Sequence, residues 1–190
     1  MKAPPESGDG RMQIQTMQET APDWWGLYCA AFPAEERRGR AMHEQALRDA
    51  HFHACRLEES GEFIGLLAWW QWEGMLYIEH LAIVADKRGM GYGHKALDML
   101  QERGLDIILE IEPVCDRATA RRMSFYRSCG FQPLPFPHIQ RAYQLGCDDM
   151  PLLLLGASVT GAAWDGARVA QFEELFAQGP MRYRDACSTR

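Results

Sequence analysis

The chain lacks a long apolar run. Runs such as Leu152 to Leu155 fall far short of the roughly 20 residues a helix needs to cross a bilayer, so a helical membrane span is excluded. Residues 1–10, MKAPPESGDG, hold no apolar core of the kind a secretory signal carries and read as a loose polar tail. There is no C-x-x-C pair either. The six cysteines, Cys29, Cys55, Cys115, Cys129, Cys147 and Cys187, are scattered. That predicts free thiols, packed as small buried hydrophobes, in a reducing, cytoplasmic compartment. Positive charge is in deficit: 20 Lys and Arg against 26 Asp and Glu leave a net charge of -6. Coating of nucleic acid by bulk charge is thereby excluded, although a local basic pocket is not. Internal repeats and low-complexity blocks are also missing. What is there is 190 residues, 47% hydrophobic and 24% charged. This suffices for one domain with a real core and is incompatible with disorder or a fibre.

Residues 12–17 alternate as a first strand. Thr20-Ala-Pro-Asp opens a helix in which Trp24, Leu27, Tyr28 and Ala31 recur at spacings of three and four, the mark of one buried face. A second helix is expected over residues 40–49. The period then changes. Residues 52–58, 63–72 and 76–84 read as three antiparallel strands joined by the turns Glu59-Ser60-Gly61 and Glu73-Gly74. Helices follow at 92–103 and 117–129, closed by Gly104 and Gly130, with a strand at 106–112 between them. Residues 131–143 contain three prolines and read as irregular; 152–155 reads as a buried strand and 167–176 as a last helix. This order predicts an α+β (mixed α/β) fold, a mixed sheet flanked by helices.

Lys87-Arg88-Gly89-Met90-Gly91-Tyr92-Gly93-His94 lies between a strand and a helix. Alternate glycines let the backbone curl and turn its N–H groups toward one point, where the helix adds its positive dipole end. Such a site suits a phosphate or pyrophosphate. It is not a P-loop, since Lys95 follows His94 where that pattern demands glycine, nor a dinucleotide fingerprint, since its glycines are spaced two and two.

The segment Ile78-Glu-His-Leu-Ala-Ile-Val, this glycine loop, and a later helix ending Phe125-Tyr-Arg-Ser-Cys-Gly-Phe131 together resemble the GNAT superfamily of acyl-CoA-dependent N-acetyltransferases. The resemblance spans residues 12–155. It implies a domain over residues 11–156, leaving residues 157–190 as a helical extension, with a twisted sheet in which two parallel strands splay apart. It also implies that acetyl-CoA lies in that gap as a co-substrate, with no metal. Leu81, Ala82 and Ile83 would hold the pantetheine and thioester. The backbone N–H groups of Arg88, Gly89, Met90, Gly91, Tyr92, Gly93 and His94 would hold the pyrophosphate. A primary amine, on a small molecule or a peptide, would attack the thioester directly through a tetrahedral intermediate. Neither nucleic acid nor a membrane is implied as a partner, and a homodimer is left open. Tyr126, four residues before Gly130, matches the family's general-acid tyrosine.

The base is not fixed by the resemblance. Strand alternation puts Tyr77, Glu79, Leu81 and Ile83 on one face, and a carboxylate at Glu79 in an otherwise apolar strand is costly to bury without purpose. Glu110 approximates the strand glutamate that serves some amine acetyltransferases, and Glu112 is a third option; any of them could instead pair with Arg121 or Arg122. Many family members carry an asparagine where this chain has Thr119, which points either to coenzyme contacts through the arginine pair or to an acidic substrate group bound by this helix. His51 and His53 lack a third ligand at metal spacing. Trp69, Trp70 and Trp72 read as core, with one able to line the acceptor cleft. The alternative reading is a non-catalytic acyl-CoA-binding module with the same fold, which would bind coenzyme A and release no thiol.

Overall fold

The structure is a computed structural model and describes residues 11–185; the expected polar tail and Cys187 lie outside the described residues. One seven-stranded sheet runs in the order β1-β2-β3-β4-β5-β7-β6. Its strands are β1 (Met12–Thr16), β2 (Phe52–Glu59), β3 (Glu62–Trp72), β4 (Met75–Ile83), β5 (Asp106–Ile111), β6 (Gln132–Gln140) and β7 (Met150–Ala157). The helices are α1 (Pro22–Ala31), α2 (Arg40–Ala46), α3 (Tyr92–Gln101), α4 (Arg117–Ser128) and α5 (Gly166–Gln178). The β2–β3 hairpin turns at Ser60 (φ 53°) and Gly61 (φ 82°), left-handed positions that match the twist of the flanking strands.

Strand alternation sorts the core into two layers. Leu67, Trp69, Leu76 and Ile78 pack beneath Ala96, Leu97 and Leu100 of α3 and Met123 of α4. Leu66, Ala68, Trp70 and Tyr77 face α1 through Trp24 and Tyr28, and α5 through Phe172 and Phe176. Trp69 and Trp70 are therefore core residues of opposite layers. His51 bonds the Gln71 carbonyl through Nδ1 at 2.9 Å, and His53 stacks on Trp69 with ring centroids 5.1 Å apart. Cys55 and Cys129 are buried as expected, whereas Cys115 is exposed, because it sits in the turn before the α4 N-cap.

Two expectations change. In β4, Ala68 pairs with His80 while Trp69 pairs with Ile78, so Glu79 is the extra residue of a β-bulge. Beyond it the faces exchange. Tyr77 and Ala82 share one layer, while Leu81 and Ile83 join Ile78 in the other, not the face predicted with Glu79. The proline-rich stretch is not irregular throughout either: residues 132–140 form β6, paired with β7 except for a shift between Pro133 and Pro137. It lies at the edge of the sheet, where missing donors are tolerated.

Candidate active site

Strands β4 and β5 are the parallel pair, joined through α3, and they stay paired only from Met75↔Asp106 to Ile78↔Leu109. Past that point they separate. The Glu79 bulge starts the divergence from one side, and β5 leans on β7 through Ile111↔Leu153 on the other. The backbone of β4 from Glu79 onward is left facing a gap with its polar groups available, a geometry into which an extended ligand can add like a strand. The gap opens into a cavity of about 920 Å³ lined by Leu81, Ala82 and Ile83.

At one end of this cavity lies the glycine loop. Gly89 (φ 76°) and Gly91 (φ 86°) are left-handed, and a Cβ at either would meet no atom within 4 Å; the backbone conformation, not crowding, demands glycine. Gly91 is the N-cap of α3 and supplies no side-chain cap, so the first N–H groups of the helix remain for a ligand. Gly93 is glycine for another reason: its Cβ would lie 3.0 Å from the Phe125 ring. Arg88 is tied to the Ile83 carbonyl through Nε at 3.0 Å. His94 contacts Ser128 Oγ at 3.0 Å. The Tyr92 side chain packs into the core, its hydroxyl on Glu59, leaving its backbone to the loop. Arg88, Gly89, Gly91, Gly93 and His94 all border the cavity. The Met90 side chain is 59% exposed and does not.

The three expected catalytic side chains, Tyr126, Glu79 and Glu110, border the same cavity. Tyr126 is held edge-on by Phe131 at 5.7 Å and engages no side-chain hydrogen bond among the described residues; burial pushes its phenol up to about 12. Glu79 is bound on every side. Arg38, 0% exposed, grips both its oxygens at 2.6 Å. The Tyr143 hydroxyl donates to it, as does Trp70 Nε1 at 3.3 Å. Burial alone would raise its pKa, but the Arg38 guanidinium overrides this and holds the carboxyl well below the usual range. Glu110 accepts the Tyr77 hydroxyl at 2.8 Å and pairs with His138, whose other nitrogen contacts Glu173 of α5 at 2.6 Å. Although burial opposes it, these two carboxylates lift His138 to about 9. Glu112 pairs with Arg122, one of the anticipated pairings. Thr119, at the position of the absent asparagine, is spent on a capping box: its N–H donates to Asp116 at 2.7 Å, and its hydroxyl accepts the Asp116 N–H at 3.0 Å.

Residues 35–38, a run of charges in sequence, supply two site residues that pattern reading misses. One is Arg38; the apolar setting of Glu79 was its signal, since a buried carboxylate calls for a cation. The other is Glu36, which borders the cavity. Its carbonyl accepts His80 Nε2–H at 2.8 Å and the neighbouring Glu35 carbonyl accepts the Tyr143 N–H at 2.9 Å, so the backbone there is pinned. Burial raises the Glu36 carboxyl above its ordinary value. No three His, Cys, Asp or Glu side chains among the described residues are grouped to hold a metal ion.

The acetyltransferase (GNAT) family model matches residues 17–131. The Bacillus subtilis (strain 168) protein named "Putative acetyltransferase YjbC" is 29% identical over 107 residues, 55% of this chain and 54% of its own; the chain thus spans about half the length of that curated relative. Among solved structures, a GNAT-family protein from Bacteroides thetaiotaomicron superposes with a TM-score of 0.77 at 24% identity, over 93% of this chain and 99% of that one. A GNAT family acetyltransferase from Elizabethkingia anophelis with acetyl-CoA bound gives a TM-score of 0.55 at 15% identity, over 79% and 99%. These superpositions establish the fold, and with the family match over more than half of its length, the chain belongs to the acetyltransferase (GNAT) family.

Proposed function

We propose that the protein transfers an acetyl group from acetyl-CoA to a primary amine. The observation that carries this reading is the opening of β4 from β5 beyond Ile78 and Leu109 into a cavity that also receives the left-handed glycine loop. A pantetheine arm fits the gap, hydrogen-bonding to the β4 backbone at Leu81, Ala82 and Ile83. The pyrophosphate fits the N–H groups between Arg88 and His94, with Arg121 available from α4. Met90 contributes backbone only.

The amine nitrogen attacks the thioester carbonyl, forming the C–N bond; the C–S bond then breaks and the thiolate takes up a proton. A β4 backbone N–H facing the gap stabilises the oxyanion between these steps. Tyr126 donates the proton to sulfur. The attacking amine must itself shed a proton, since its reference pKa is about 10.4. Glu79 is a poor acceptor for it, being fully bound and strongly acidic in character. Glu110, on the strand across the gap, takes that role, and Glu79 instead fixes the wall of the site through Arg38 and Tyr143.

Isothermal titration with coenzyme A, followed by thiol-release assays over a panel of amines with acetyl-CoA, tests the reading. Binding with amine-dependent thiol release is the expected result. Binding without thiol release across the panel would instead identify a silent acyl-CoA-binding module.

A further inference from the structure

The half of the cavity away from the glycine loop is walled by the end of α1, Glu36, β4 before Leu81, Glu110, Gln140 and Tyr143. Its ionisable groups can be balanced one by one. Glu79 is neutralised by buried Arg38. Glu112 is neutralised by Arg122. His80 spends Nε2–H on the Glu36 carbonyl, with Nδ1 3.6 Å from Glu79. Glu110 has only a share of His138, because Glu173 competes for the same imidazolium; two carboxylates around one cation leave one negative charge. Glu36 has no ion pair and no side-chain hydrogen bond among the described residues. Two separate anionic points therefore face this half of the cavity: Glu110, which shares one cation with Glu173, and Glu36, which makes no ion pair, the Arg122 guanidinium that acts on it from a distance being already paired with Glu112. The uncompensated cations, Arg88 and Arg121, belong to the loop and α4 side, where the phosphates are placed.

We infer that the acceptor is a diamine or polyamine: one nitrogen is presented to Glu110 for acetylation and a second ammonium is held by Glu36. This rests on the acetyl-transfer reading and adds the chemical class of the acceptor. A partly buried carboxylate with raised affinity for positive charge and no internal partner gains most from a ligand cation, because a charge-assisted hydrogen bond replaces poorly solvated charge. An acceptor bearing a carboxylate would instead meet like charge at both points. Phe32 and Pro33 beside Glu36 suit the methylene stem between two ammonium groups.

Three acceptors of equal length separate the possibilities: 1,4-diaminobutane, 1-aminobutane and 4-aminobutanoate, assayed for thiol release at saturating acetyl-CoA. The expected order of kcat/KM is diamine, then monoamine, then amino acid, with the diamine ahead by about ten-fold, the scale of one charge-assisted hydrogen bond. In Glu36→Gln the diamine-to-monoamine ratio falls toward one, through KM of the diamine. Glu35→Gln, which alters a neighbouring charge outside the cavity lining, keeps the ratio. Equal use of diamine and monoamine by the parent overturns the inference while acetyl transfer stands. So does preference for 4-aminobutanoate, or a ratio that survives Glu36→Gln in a variant with the parental melting temperature. Failure of every amine to release thiol overturns acetyl transfer and this inference with it.

Discussion

Tyr126 offers the cleanest separation of chemistry from packing. Its ring is wedged between Phe125 and Phe131, and Tyr126→Phe keeps that ring while deleting the donor. Turnover is expected to fall by about a hundred-fold, the usual scale for a lost general acid. Coenzyme A affinity by titration and melting temperature should both hold. Turnover within about three-fold of the parent would remove Tyr126 from the mechanism. Arg38 and Glu79 behave differently. Arg38→Met strands a fully enclosed carboxylate and is expected to destabilise the fold by about 3–5 kcal/mol in urea titrations. Adding Glu79→Gln should recover part of that loss. A single variant as stable as the parent would show the pair to be dispensable. Of these residues, the place of Tyr126 at the cavity was legible in sequence from its distance to Gly130. Glu79 was legible as important, from the cost of a carboxylate in an apolar strand, but its partner was not. Arg38 sits 41 positions away in the run Glu35-Glu36-Arg37-Arg38, which reads as a solvated loop until the fold closes over it.

At the scale of elements, the glycine loop and α3 make one unit. Gly91→Val forces a β-branched side chain into a left-handed conformation, a strain of roughly 1–2 kcal/mol. It also places a new Cβ in open space, where the proposed function puts the pyrophosphate. Coenzyme A binding is expected to weaken by at least about ten-fold, measured by isothermal titration on protein with a native circular dichroism spectrum; unchanged affinity would move the pyrophosphate elsewhere. The helices and most strands were legible because their caps, turns and periods are local. The bulge was not. Alternation assumes an unbroken ladder, and nothing in Ile78-Glu-His-Leu-Ala-Ile announces the extra residue that reverses the face of Leu81 and Ile83. β6 escaped for the opposite reason: three prolines are a strong local signal for a break, and only a place at the sheet edge lets them stand in a strand.

At the scale of the molecule, His138 joins three elements, with β5 on one nitrogen and α5 on the other. Its folded value of about 9 exceeds the ordinary 6.5, so the folded state binds the proton more tightly than the unfolded chain. The resulting stability is fully present below about pH 6.5 and is lost as pH rises through about 9. Urea midpoints measured between pH 6 and pH 10 should decline over that window. Glu173→Gln should shift the decline to lower pH, because one of the two stabilising carboxylates is gone. A midpoint flat across the window, in parent and variant alike, would show that His138 is not charged in the fold.

The sheet order has a consequence for how the chain is made. β5 finds its second neighbour only in β7, paired from Ile107↔Ala157 to Ile111↔Leu153, and β6 is synthesised before the strand that attaches it to the sheet. A nascent chain emerging in order therefore carries an unsatisfied apolar rim at Leu109 and Ile111 until some forty residues later. Folding of this protein on the ribosome should stall until residue 157 has left the exit tunnel. Chains tethered so that only residues up to 145 have emerged should be protease-sensitive, and those carried on a C-terminal linker until α5 is outside the tunnel resistant.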